Sequence, residues 1–139
     1  MNVLVDTSVW SLALRRAPRN LNQREKVIVA ELAELIDEGR ARLLGLVQQE
    51  LLSGIKTSEQ FDKLRAALRA FDDEPVQTSD YEAAARLGNS CRADGVSVSL
   101  ADMLICAVAQ TRGWAIFTTD PDFHRYAKIL QVRLHAPRK

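Results

Sequence analysis

Short apolar runs alternate with longer stretches of helical period along this chain. Asn2–Val5 is a brief apolar run of the kind a buried strand shows, and Val9, Leu12 and Ala13 then share one helical face over Ser8–Arg15. Pro18 breaks that helix. Asn20 is placed to cap a longer one over Leu21–Glu38, with Val27, Ala30, Leu32, Leu35 and Ile36 as its apolar stripe and Gly39 at its carboxyl end. Arg42–Gly45 reads as a second strand, followed by helices over Val47–Ile55 and Ser58–Ala70, the latter turning Phe61, Leu64 and Leu68 inward. After a brief extended piece from Pro75, a helix from Asp80 to Cys91 carries Ala83, Ala84 and Leu87, and Asp94–Ser97 is a loop. Leu100–Gln110 is apolar almost all round, as a central helix is. Trp114–Thr118 reads as a strand, Pro121–Tyr126 as a short helix and Ile129–Leu134 as a last strand. Strands alternating with helices predict an α/β domain with a mainly parallel sheet. In such a sheet the site lies beyond the carboxyl ends of the strands, where strand order reverses.

Composition narrows the class. At 139 residues, 47% hydrophobic and 27% charged, the chain fits one compact domain over residues 1–139 and excludes disorder. No apolar run approaches the length of a membrane span, and Asp6 interrupts any signal-like segment, so a soluble cytoplasmic protein is expected. Cys91 and Cys106 have no metal-site spacing and read as reduced thiols. Nineteen Lys and Arg against eighteen Asp and Glu leave a net charge of +1, so nucleic acid would have to be held by local patches. Two such clusters stand out: Arg15, Arg16, Arg19, Arg24 and Lys26, and a tail with Arg125, Lys128, Arg133, Arg138 and Lys139. Either set also reads as ordinary solvated charge.

Several acids stand where the pattern is otherwise apolar. Asp6 ends the first strand, Glu50 lies beside the stripe of its helix, Asp102 opens the most apolar helix, and Asp120 follows the third strand with Asp122 just after it. Each has an ordinary explanation taken alone. Asp6 and Asp120 suit helix caps, Asp102 completes a capping-box spacing with Ser99, and Glu50 suits a solvated helix flank. The topology, however, brings Asp6, Asp102 and Asp120 to one edge of the sheet, with Glu50 arriving from a neighbouring helix. Carboxylates crowded there repel one another unless a hard divalent cation neutralises them, and Mg²⁺ or Mn²⁺ takes such oxygens while keeping several waters. That arrangement suits phosphoryl chemistry.

Four segments together resemble the PIN-domain nucleases: Val5-Asp6-Thr7-Ser8-Val9, Gln49-Glu50-Leu51-Leu52-Ser53-Gly54, Ser99-Leu100-Ala101-Asp102-Met103-Leu104-Ile105 and Thr118-Thr119-Asp120-Pro121-Asp122-Phe123. In order, spacing and length the chain is most similar to VapC-type toxins of toxin–antitoxin modules. The resemblance implies a three-layer α/β/α domain with a short, mainly parallel sheet. It also implies a Mg²⁺- or Mn²⁺-dependent endoribonuclease that releases a 3′-hydroxyl, usually a homodimer, silenced by a small VapB-type antitoxin. Carried over by position, Asp6, Glu50, Asp102 and Asp120 would form the catalytic quartet, with Asp122 auxiliary and Asp6, Asp102 and Asp120 as metal ligands. Thr7, Ser8 and Thr119 would be supporting hydroxyls. Arg15 and Arg16, two turns from the presumed site, are candidates for holding RNA, and Phe61, Leu64 and Leu68 for an exposed dimer stripe if they do not face the core. Two other readings stay open: a small Mg²⁺-dependent phosphohydrolase with Asp6 as nucleophile, and a non-catalytic α/β interaction module whose acids only cap helices. Residue 8 is Ser, where the phosphohydrolase would want a second Asp.

Overall fold

The computed structural model describes residues 1–138. Four short strands, β1 (Val3–Val5), β2 (Ala41–Arg42), β3 (Ala115–Phe117) and β4 (Arg133–Leu134), pair in the order β2-β1-β3-β4, all parallel. Seven α-helices connect them: α1 (Thr7–Leu14), α2 (Gln23–Asp37), α3 (Gly45–Leu52), α4 (Ser58–Leu68), α5 (Thr78–Ala93), α6 (Leu100–Arg112) and α7 (Asp122–Ile129). Val3, Leu4 and Val5 are all buried although successive strand residues face opposite ways, so both faces of the sheet are covered. One cover is built from α1 packed on α2 and α3, with α4 on α3; the other from α5 packed on α6 and α7. This is the expected three-layer α/β fold, with the sheet wholly parallel.

Element order follows the sequence pattern, while several boundaries shift for local reasons. The long second helix is capped by Asn22, whose side chain accepts the Glu25 N–H while Glu25 bonds back to the Asn22 N–H, so Asn20 ends a separate 3₁₀ turn instead. Its buried face is Ile28, Glu31, Leu32 and Leu35; Ala30 and Ile36 face outward. The second strand is Ala41–Arg42, because Gly45 already begins α3. The segment from Pro75 forms no strand, although Asp73 just before it bridges Leu43. Gly113 takes φ +71° at the end of α6, a left-handed turn that swings the chain straight into β3.

Leu64 and Leu68 are buried in the protomer and Phe61 is partly so, which removes α4 as the exposed apolar stripe. Their amphipathic spacing served the protomer's own core. The large exposed apolar side chains on helices are Ile36, Tyr81 and Leu100. Among the described residues, no helix is long and apolar enough to cross a membrane.

Arg112 fastens α6 to the start of α5. Its guanidinium donates to Asp80 at 2.8 and 3.1 Å, to Glu74 at 2.7 Å and to the Pro75 carbonyl at 2.9 Å. Asp80 is buried, and Arg112 holds its carboxyl below the usual carboxylate range against the opposing effect of burial. A depressed folded-state pKa stabilises the fold above the unfolded-state value and loses that contribution as pH falls through the folded one. Asp80→Asn should therefore cost about 2 kcal/mol at pH 7. In urea denaturation, the gap from wild type should close as the medium is taken from about pH 4 downward.

Candidate active site

Parallel pairing of β1 with β3, in register from Val3↔Ala115 to Val5↔Phe117, sets two chain exits side by side at the carboxyl edge of the sheet. The ladder runs one residue further, since the Asp6 N–H donates to the Phe117 carbonyl at 2.9 Å. With β2 on the outer side of β1 and β4 on the outer side of β3, strand order reverses between these two strands. Asp6 leaves the first strand there, and Thr118, Thr119 and Asp120 leave the third.

Hydroxyls fix Asp6. Its Oδ2 accepts from Ser8 Oγ and from Thr118 Oγ1, each at 2.8 Å, and from the Ser8 N–H at 3.4 Å, so Asp6 does cap α1. Thr118 in turn accepts the Asp120 N–H at 3.0 Å, which makes its hydroxyl a bridge between two acids. Thr119 enters the network through its backbone N–H, which donates to Ser8 Oγ at 2.9 Å. The hydroxyl that bonds Asp6 from this loop thus belongs to Thr118, one residue earlier than the sequence reading placed it. Thr118 is the next residue beyond the β3–β1 register, a position readable only once the pairing is known.

Asp120 Oδ1 accepts the Asp122 N–H at 2.9 Å and so turns the chain into α7. Asp102 is different. Its backbone N–H is capped by Ser99 Oγ at 3.0 Å, but its carboxylate does not complete a capping box: Oδ2 accepts from Tyr126 Oη on α7 at 2.8 Å. Capping therefore accounts for part of what Asp6 does; the cap of α7 is Pro121 and not the expected Asp120, whose side chain instead closes the turn before it, and the Asp102 carboxylate is left unexplained. Oxygens of Asp102, Asp120 and Asp122 lie within 4.8 Å of one another. Asp6 stands outside that trio, near enough for its charge to act on Asp102. Burial raises the Asp102 carboxyl above its ordinary range. Tyr126 and Ser99 draw it down, and the charges of Asp6 and Asp120 push it further up.

Glu50 reaches the same edge from α3 and is exposed; its Oε1 accepts from Thr7 Oγ1 at 2.6 Å. Cys106, one turn beyond Asp102, is fully buried, and burial first and then the Asp102 charge push its thiol up to about 12. It is a neutral wall beneath the acids, with no nucleophilic role at ordinary pH. Most basic side chains are spent elsewhere, as Arg16 pairs with Glu25, Arg112 with Asp80 and Arg138 with Glu31, while Arg125 pairs with Asp122 at the rim of the trio. Among the described residues no basic group pairs with Asp6, Asp102 or Asp120. Hard oxygen donors crowded together, with Asp6, Asp102 and Asp120 left without a protein cation, fit Mg²⁺ or Mn²⁺.

The two basic clusters are tied down only in part: Arg19, Arg24 and Lys26 of the first stay exposed. Arg16 is tied to Glu25 and to the Asn20 carbonyl. In the tail, Arg138 bonds Glu31 and Glu38, and Arg133 the Gly113 carbonyl; Lys139 lies outside the described residues. Arg15 remains exposed. It lines a groove of about 570 Å³ with Lys56 and Lys63 between α1 and α4.

A family model described as the PIN domain matches residues 3–129. No curated protein matches the chain in sequence. Among solved structures it is similar to FitAcB from Neisseria gonorrhoeae, with TM-score 0.76, 23% identity and 97% of each chain covered. It is also similar to VapBC2 from Rickettsia felis bound to a promoter DNA fragment, at TM-score 0.72 and 18% identity over 97% of this chain and 98% of that one. VapC20 from Mycobacterium tuberculosis, a sarcin–ricin loop cleaving toxin, aligns at TM-score 0.66 and 23% identity over 95% of this chain and 99% of that one. At these identities the likeness establishes the shared fold.

The bridging role of Thr118 has a direct consequence. Thr118→Val should cost about 1–2 kcal/mol in urea denaturation, because it strands the Asp120 N–H and removes a bond to Asp6. Thr119→Val should stay within about 0.5 kcal/mol of wild type.

Proposed function

Since this chain belongs to the PIN domain family, we propose that it is a VapC-type toxin, a Mg²⁺- or Mn²⁺-dependent endoribonuclease neutralised by a small VapB-type antitoxin. On this reading residues 1–139 are one nuclease domain acting in the cytoplasm. The observation that carries it is the clustering of Asp102, Asp120 and Asp122 at the switch point of the sheet, with Asp6 close enough to act on Asp102 and no basic partner on Asp6, Asp102 or Asp120 among the described residues. The structural relatives include a toxin–antitoxin complex from Klebsiella pneumoniae and a sarcin–ricin loop cleaving toxin, which supports the partner and the substrate class.

Asp6, Asp102 and Asp120 would hold the cation, with Asp122 on their flank. When bound, a divalent cation there supplies Lewis-acid stabilisation of phosphate charge and eases deprotonation of a water. The protein's own groups do the rest. Ser8 and Thr118 hold Asp6 so that one oxygen stays outside their hydrogen bonds. Thr7 holds Glu50 by Oε1, leaving Oε2 to orient a water at the scissile phosphate. Arg15, with Lys56 and Lys63, provides a cationic track for the RNA backbone, whereas Arg16 serves the α1–α2 junction.

The active form is proposed to be a homodimer. Leu100 is 83% and Tyr81 58% exposed, and they rim an apolar cavity of about 310 Å³ with Ala84, Gly88, Met103 and Leu104. A patch of this kind suits a second copy better than solvent.

Purified protein free of antitoxin should cut single-stranded RNA with Mg²⁺ or Mn²⁺ and stop in EDTA. Asp6→Asn should abolish cutting, Glu50→Gln should cut it at least about a hundredfold, and Asp122→Asn should do less. Wild-type rates in Asp6→Asn, with contaminating ribonuclease excluded, would contradict the mechanism. Arg15→Ala with Lys56→Ala should lower the salt dependence of RNA binding by about two counterions, and Arg16→Ala should not. In sedimentation, Leu100→Asp should convert a dimer to a monomer.

A further inference from the structure

Tyr126 is 1% exposed on α7, its ring set edge-on to Phe123 with centroids 5.3 Å apart and planes at 75°. A tyrosine buried this deeply needs a partner for its hydroxyl, and an available backbone carbonyl would serve. Here the partner is a charged member of the acidic cluster on a different helix: Oη donates to Asp102 Oδ2 at 2.8 Å. The terminal torsion of an aspartate is broad and roughly two-fold when free. With the tyrosine ring fixed by packing, turning that carboxylate would break the bond. One lone pair of Oδ2 is thereby taken up and the carboxylate's rotation held, so Oδ1 is the oxygen with both acceptor sites open to a ligand.

Cations differ in what they accept from a carboxylate. Ca²⁺ takes one or both oxygens in a loose shell, whereas Mg²⁺ requires near-octahedral geometry, which a single oxygen per carboxylate suits. Resting on the reading of this cluster as a metal centre, we propose that Tyr126 is a positioning residue that restricts Asp102 to single-oxygen ligation. It thereby makes the site favour Mg²⁺ and Mn²⁺ over Ca²⁺. The role is second to the ligand itself, as a partner that orients it commonly is.

Calorimetric titration of the full chain with Mn²⁺ and with Ca²⁺ tests this without any assay of cleavage. Tyr126→Phe should lower Mn²⁺ affinity roughly tenfold and leave Ca²⁺ affinity level or higher, collapsing the ratio. Phe123→Leu, which loosens the same packing and spares the hydroxyl, should lower the melting temperature and keep the ratio. A wild-type ratio in Tyr126→Phe, or an equal collapse in Phe123→Leu, overturns the proposal. Wild type that binds no divalent cation overturns the metal-centre reading itself, and the proposal with it. The chain has two tyrosines, so 3-fluorotyrosine labelling gives one resonance for exposed Tyr81 and one for Tyr126. Saturating Mg²⁺ should move the Tyr126 resonance. A resonance that stays fixed while Mg²⁺ binds overturns the proposal even if the phenylalanine variant does not fold.

Discussion

Parallel pairing of β1 with β3 joins segments more than a hundred residues apart, and the acidic edge exists because of it. Asp6 and Thr118 are the first residues past the register, and the 2.8 Å bond between their side chains fixes the relation of the two exits. From that bond the rest can be followed outward. Ser8 and the Thr119 N–H close the ring on one side, Asp120 turns into α7 on the other, and α7 delivers Tyr126 to Asp102. Short strands suffice because both faces of the sheet are sealed by helices, so the ladder does not have to carry the fold alone.

Such an edge is electrostatically unfavourable in the protein by itself. Burial and two neighbouring charges raise the Asp102 carboxyl, and only hydroxyls oppose them. Elsewhere buried acids meet an arginine, as Asp80 meets Arg112 and Glu31 meets Arg138. A fold that pairs its other buried acids and leaves these to hydroxyl donors keeps negative charge in reserve. Strain of this kind at one place, offset by pairing elsewhere, is what functional sites commonly show.

The alternation of strands and helices was legible in the sequence because apolar period changes sharply at each boundary, and so was the edge on which Asp6 and Asp120 emerge. What escaped depended on contacts far apart in the chain. Asn22, not Asn20, caps α2, because Glu25 completes the box from the right distance and a 3₁₀ turn absorbs Pro18. Thr118 outranks Thr119 only through strand register. Leu64 and Leu68 have the same spacing whether they face a partner or the core, and burial alone decides. Arg16 looked free until Glu25 was found beside it. Tyr126 carried no local signal at all, since an apolar-faced aromatic at helical spacing reads as packing until its hydroxyl is seen against Asp102.

The central claim is that these carboxylates form a cation site. An anomalous difference map from crystals soaked in Mn²⁺ tests it most directly. The account predicts a manganese peak held by the carboxylates of Asp6, Asp102 and Asp120, directly or through water. Well-ordered carboxylates still bonded to Tyr126 and Thr118, with no manganese between them, would contradict it.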